Sequence, residues 1–211
     1  MNDARIHSFS QTDTGLRSGP GPLAQLGAVF RPRELAAVGM TPDQLPALVR
    51  QGLVERVGRG LYRVADEPPT ENYTLAMASA RVTDGIVCLL TALRVHGLGT
   101  QAPSAVWMAI PQRSRTPRVR DIRIRFVRFS GPAATYGVVA TAFEGVPARI
   151  TNPARTIVDC FRLVRLVGPE PGVEALHDAL ARRVVTVDEL ARVESVLPCR
   201  KLRAHLEVAR I

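Results

Sequence analysis

The stretch PRELAAVGMTPDQLPALVRQGLVERVGRGLYRV, residues 32–64, decides the fold. Pro32 stands where a helix opens, its fixed φ suited to the first helical position, and Gly39 supplies the stop. Thr41-Pro42-Asp43-Gln44 repeats the opening with a cap, a first-position proline and the glutamine of a capping box. The second helix is expected to run to about Gln51, with Gly52 just past its end and Pro46 costing it one hydrogen bond. Leu45, Leu48 and Val49 share its core face. Leu53–Val57 and Leu61–Val64 then read as short strands about the turn Gly58-Arg59-Gly60. Two helices a few residues apart, followed at once by a hairpin, make a winged helix-turn-helix.

Working outward, residues 1–22 end in Ser18-Gly19-Pro20-Gly21-Pro22 and are expected to form a flexible tail. The winged helix occupies 23–66. Its first helix is either a short turn within Leu23–Gly27 or is supplied by residues 5–17. Asp66-Glu67-Pro68-Pro69 is an extended spacer. Residues 70–211 form a second, larger domain with a small sheet and C-terminal helices. Thr70 caps a helix to about Val82, and an apolar segment from Ile86 to Val95 ends at His96-Gly97. Strands are expected around Val106–Ile110, around Ile122, Ile124 and Phe126, and over Gly145–Ile150. Asn152-Pro153 opens a helix, and three more follow near 172–183, 187–196 and 200–209. Strands first and helices after give an α+β class.

Of the 211 residues 46% are hydrophobic, enough for a packed core. No apolar run is long enough to span a bilayer, and the N-terminus lacks a secretory h-region. Cys88, Cys160 and Cys199 are too scattered for a disulfide framework or a zinc knuckle and read as buried hydrophobes of a cytoplasmic protein. A formal charge of +9, carried by arginines and the single lysine Lys201, points to a polyanionic partner. The excess is concentrated in the middle of the chain. Arg113, Arg115, Arg118, Arg120, Arg123, Arg125 and Arg128 have only Asp121 among them. That run reads as a second phosphate-tracking surface for DNA, RNA or an acidic protein, or else as a solvated loop and guarded edge strand.

On the winged helix, Thr41, Asp43, Gln44, Ala47, Arg50 and Gln51 form the outward face of the second helix. Arginine and glutamine there can read guanine and adenine edges in a major groove. Arg56, Arg59, Gly60 and Arg63 on the wing are placed for phosphates, with glycines beside Arg59 letting the backbone approach. A hairpin used only for protein contacts is the other reading. Enzyme classes find no support: there is no dinucleotide or P-loop fingerprint and no zinc spacing. Lys201 has Cys199 two residues before it, so the (D/E)xK motif of restriction-type nucleases cannot be made. No cofactor or metal site is expected. His96 reads as a helix-end cap favoured by the dipole, and Asp159 as a buried, paired carboxylate.

Three groups of residues in one order carry a family resemblance. They are Phe30–Val64 with its Val57-Gly58-Arg59-Gly60-Leu61-Tyr62-Arg63, the pair Leu89–Leu98 and Val106–Pro111, and Ile150-Thr151-Asn152-Pro153-Ala154-Arg155-Thr156-Ile157-Val158-Asp159-Cys160-Phe161. Over about 30–211 the chain resembles the AbiEi antitoxins of type IV toxin–antitoxin systems. The resemblance implies an autorepressor that binds repeats in its own promoter, and an antitoxin counteracting a nucleotidyltransferase-like toxin without a lasting complex with it. It implies no enzymatic activity. The rival is a winged-helix regulator whose second domain senses a ligand or drives dimerisation, with no toxin partner.

Overall fold

The computed structural model describes residues 21–27, 29–65 and 72–209. The tail up to residue 20, the alternative first helix at 5–17, the spacer at 66–69 and the Thr70 cap lie outside the described residues. Before Phe30 stands a single 3-10 turn, Pro22–Gln25. Phe30 then bridges Tyr62, its N–H donating at 2.8 Å to the Tyr62 carbonyl and its own carbonyl accepting at 2.9 Å from the Tyr62 N–H. Pro32–Val38 is a 3-10 helix, stopped by Gly39 at φ +72. A 3-10 turn over Pro42–Gln44 leads into helix α1, Leu45–Arg50, and the Gln44 side chain accepts from the Thr41 N–H at 2.8 Å. Strands β1, Val54–Gly58, and β2, Leu61–Val64, pair antiparallel with an irregularity at Gly58. The order of turn, one-residue strand, two helices and hairpin is that of a winged helix.

Two expectations need correction here. Pro46 falls in the first turn of α1, where no intrahelical acceptor is owed an N–H, so the expected lost bond does not arise. Val49 is 40% exposed and does not join the core. The six-residue α1, entered from a tighter 3-10 turn, has an inward face only Leu45 and Leu48 wide; these pack with Leu23, Phe30, Leu35 and Val54.

The larger part begins with α2, Tyr73–Arg81, then β3, Ile86–Val87, and α3, Leu89–Val95. Strands β4, Val106–Pro111, β5, Ile124–Phe129, β6, Val138–Phe143, and β7, Val146–Thr151, complete a five-stranded mixed sheet in the order β5-β4-β3-β7-β6. β4 pairs parallel with β5 and antiparallel with β3, and β7 pairs parallel with β3 and antiparallel with β6. The helices α4, Pro153–Arg162, α5, Val164–Val167, α6, Glu170–Ala181, α7, Val187–Val196, and α8, Arg200–Ala209, follow. Sequence reading did not foresee β6, because its residues lack the polar–apolar alternation that marks a half-buried strand.

Alternation along β4 assigns the two faces of the sheet. Trp107 and Ala109 pack with Val127, Phe129, Ile157, Phe161 and Leu176 beneath the helices that follow the sheet. Val106, Met108 and Ile110 pack on the other face with α2 residues Leu75 and Ala78 and with Phe143 and Ile150; Val29 and Leu61 of the winged helix complete this cluster. The winged helix is thus docked on the sheet through α2. Backbones touch at the seam: a Cβ on Gly27 would lie 2.9 Å from the carbonyl carbon of Gly145, which turns β6 into β7 at φ +79. Arg31 donates to the Ala80 carbonyl at 2.5 Å, at the end of α2.

The buried framework centres on the start of α4. Asn152 caps the helix, its Oδ1 accepting from the Arg155 N–H at 2.9 Å. Arg155 is wholly buried. Its Nε donates to Asp159 at 2.8 Å, its Nη atoms to the carbonyls of Tyr136 and Ala133, and its guanidinium lies 4.9 Å from the Phe129 ring centre. Arg162 binds the other Asp159 oxygen at 2.8 Å, so Asp159 is a buried, paired carboxylate as expected. Burial pushes its pKa up, while Arg155 and Arg162 pull it down. The three cysteines are buried and unpaired. His96 is the C-cap of α3, as expected, its N–H donating to the Ala92 carbonyl at 2.9 Å. Its ring is committed elsewhere: Nε2 lies 2.7 Å from the Thr151 carbonyl, bridging α3 to β7, and burial pushes its pKa down against that hydrogen bond, so the dipole is not what holds it.

Candidate nucleic-acid interface

The outward residues of the second helix divide by their commitments. Thr41, Asp43, Arg50 and Gln51 are exposed, and Ala47 is half-buried. Gln44 is exposed but its amide oxygen is held by the Thr41 N–H. Arg50, in the last turn of α1, has no ion pair among the described residues. The side chain most free to meet a base edge is therefore Arg50, with Gln51 beside it.

On the wing, Arg59 stands exposed at the tip, and Gly60 follows at φ +66 with open space where a Cβ would be. Gly58 is small for a different reason. A Cβ there would lie 2.3 Å from Nη2 of Arg81, so the space beside it is filled from within the molecule. Arg56 is exposed and bends back, its Nε donating to the Gly58 carbonyl at 3.2 Å. Arg63 is committed: strand register places it opposite Glu55, which it binds at 2.8 Å, and that hydrogen bond raises its pKa. A phosphate at Arg63 would have to compete with a carboxylate already in place.

The middle arginines sit on the connection from β4 to β5 and on β5, the edge strand furthest from β6. Arg113, Arg115, Arg118, Arg120 and Arg123 are exposed, with no carboxylate partner among the described residues. Arg125 lies 5.1 Å from the Trp107 ring centre, which steadies it over the sheet. Arg128 is spent on structure. Its guanidinium binds the carbonyls of Pro111, Gln112 and Ser114 and the Thr116 hydroxyl, pinning the start of the loop.

Arg81, which sequence reading did not single out, brings the two surfaces together. It ends α2, donates to the Val57 carbonyl of β1 at 3.0 Å, and binds Asp121 at 2.6 Å. Asp121 is the one acidic residue of the arginine run, so its charge is already answered from α2. The turn end of the wing and the basic loop are separated by one guanidinium. No local signal announces this contact, since its partners lie 24 and 40 residues away. Among the described residues, no helix is long and apolar enough to cross a membrane.

Comparison with known proteins adds lineage to this geometry. Residues 22–65 match the sequence family described as transcriptional regulator, AbiEi antitoxin. Residues 85–207 match the AbiEi antitoxin C-terminal domain. No curated protein matches the chain. Among solved structures, that of the RV2827C protein from Mycobacterium tuberculosis shares the fold, with a TM-score of 0.51 at 18% identity. The alignment covers 80% of this chain and 66% of that one, so the chain spans just under two thirds of that structure's length. The two family matches fall in chain order on the winged helix and on the sheet with its helices, and the chain belongs to the AbiEi antitoxin family.

Proposed function

We propose that this antitoxin-family regulator is a DNA-binding autorepressor of its own operon. In this reading α1 enters the major groove with Arg50 and, just past its end, Gln51, supported by Ala47 on its outward face and by Thr41, Asp43 and Gln44 at the 3-10 turn that leads into it. Arg56, Arg59 and Gly60 of the wing engage the flanking backbone. Arg113, Arg115, Arg118, Arg120, Arg123 and Arg125 track phosphates further along. Residues 23–66 serve as the reading domain, and 70–211 as the antitoxin domain that also holds DNA. The chain acts in the cytoplasm without enzymatic activity and counteracts a nucleotidyltransferase-like toxin of a type IV system.

The observation that carries the DNA reading is the Arg81 bridge, which sets exposed wing arginines and an unneutralised basic loop side by side. The test is fluorescence-anisotropy binding to the gene's own upstream DNA and to a scrambled duplex at about 150 mM salt. A preference of roughly a hundredfold or more is expected. Equal, weak and strongly salt-dependent binding to both duplexes would sink the repressor reading. For the antitoxin half, co-expression should restore growth to cells producing the toxin encoded beside it, and no rescue would remove that part.

A further inference from the structure

The two edges of the five-stranded sheet are built differently. β5 carries Arg125 and Arg128 and is overhung by the pinned loop, devices that discourage strand pairing. β6, at the other edge, carries none. From Ser130 to Phe143 the chain has no charged residue, and Val138–Phe143 has neither proline nor bulge. Pairing geometry says which backbone groups face outward. Phe143 and Val146 flank a two-residue turn with both turn residues at positive φ, so they form a hydrogen-bonded pair. Every second pair along the ladder repeats it, which turns the N–H and C=O of Thr141 and Val139 toward β7. Pro147, opposite Ala142, has no N–H and fits the intervening class. The N–H and C=O groups of Val138, Ala140 and Ala142 therefore point away from the sheet. Among the described residues only the Val138 N–H finds a partner, the Thr135 carbonyl at 3.2 Å.

Exposed apolar side chains gather at the same edge. Val139 on β6 is 42% exposed, and Tyr136 and Val184, both 37% exposed, line a shallow hollow of about 420 Å³ beside the start of the strand. We infer that β6 is a dimerisation edge, pairing antiparallel with β6 of a second copy of this chain around a two-fold axis at Ala140. Charge decides the occupant. An acidic segment would be drawn to the arginines of β5, whereas β6 offers no charge for it to answer. Two copies of a +9 chain repel least where each presents a neutral strand. Joining at β6 also holds their basic edges about nine strand spacings apart, roughly 40 Å. With the axis at Ala140, that residue faces its counterpart and Val138 faces Ala142, side chains small enough for close approach. The outward groups then make about four hydrogen bonds, because the Val138 N–H is already engaged.

The inference stands independently of DNA binding and is tested without DNA. Light scattering on the full-length chain at about 0.3 M salt, which screens the net charge, should give twice the chain mass of 22.9 kDa at tens of micromolar. Ala140→Pro removes an N–H that β7 does not use, and edge strands accept proline there. It should give a monomer with an unchanged circular-dichroism spectrum, and so should Ala142→Lys, which puts on the edge strand the kind of charge that discourages pairing. Ala140→Cys provides a readout that does not depend on tolerance of those changes. A hydrogen-bonded antiparallel pair holds its Cα atoms about 5.5 Å apart, within disulfide range, so mild oxidation should join two copies. A wild-type monomer under these conditions, with β6 open or covered by another part of the chain, overturns the inference. So does a dimer that survives both blocking variants or leaves Ala140→Cys unlinked.

Discussion

Arg155 shows how one side chain can hold a fold together. It brings a full charge out of water, and the arrangement is tolerated because Asp159, two carbonyls and the Phe129 ring surround it. Gly137, at φ +66, has no room for a Cβ, which would lie 2.7 Å from Cβ of Arg155. Replacing Arg155 with methionine leaves Asp159 buried against Arg162 alone. Loss of one partner of a buried pair costs about 3–5 kcal/mol, and denaturant unfolding should show a loss of that order. The double variant Arg155→Met, Asp159→Leu should lose less than the two single changes together, a non-additivity of about 1–3 kcal/mol. Strict additivity would mean the pair is not coupled. His96 makes a second case, with the sign set by its depressed pKa. In the unfolded chain the ring takes a proton below about pH 6.5, whereas burial delays this in the fold. Its contribution is therefore present above that pH and is lost as the pH falls toward the folded value. His96→Gln, which keeps a donor for the Thr151 carbonyl, should flatten the fall in Tm between about pH 7 and 5.5. An unchanged slope would assign that fall to other groups.

At the scale of elements, the legible features were those whose cause is local. Prolines at 32, 42 and 153, glycines at 39 and 52, and Asn152 mark helix ends because capping is decided within a few residues. The wing was legible from its glycines, and the hairpin register, once fixed, would also have shown Glu55 opposite Arg63. β6 was not legible, because an edge strand held in the core only at its ends, by Val138 and Phe143, carries little alternation between them. The partners of Arg81 and the role of Arg128 in pinning a loop depend on strand order, which local pattern does not encode. These commitments sharpen the reading of the candidate interface. Arg50→Ala should relax sequence preference by about 1–3 kcal/mol at one base position. Arg59→Ala should weaken binding to operator and scrambled DNA alike. Arg63→Ala should matter less than Arg59→Ala, because Glu55 already neutralises it. Competition titrations on single-base operator variants would separate these outcomes. Equal loss of discrimination from Arg50→Ala and Arg59→Ala would refute the division between helix and wing.

For the whole molecule, what matters is whether the winged helix and the sheet act as one rigid body on DNA. Val29 and Leu61 lie in the sheet-side core, Gly27 meets Gly145 backbone to backbone, and Arg81 ties β1 to the basic loop. A rigid arrangement presents helix, wing and loop in fixed register, so their phosphate contacts form together. Each contact contributes about −0.9 to the slope of log affinity against log salt. A slope equivalent to roughly six to eight contacts is therefore expected for the intact chain. Arg81→Met keeps much of the side-chain volume but removes both links and frees Asp121, which then sits unanswered among the loop arginines. Its exposed neighbours are untouched, so any change comes from arrangement and from that one carboxylate. The slope should become shallower by more than the single contact that losing one surface arginine would explain. Adding Asp121→Asn to Arg81→Met removes the freed carboxylate and isolates the geometric part. If the double variant regains the full slope, the coupling is electrostatic only; if the slope stays shallow, the bridge holds the two surfaces in register.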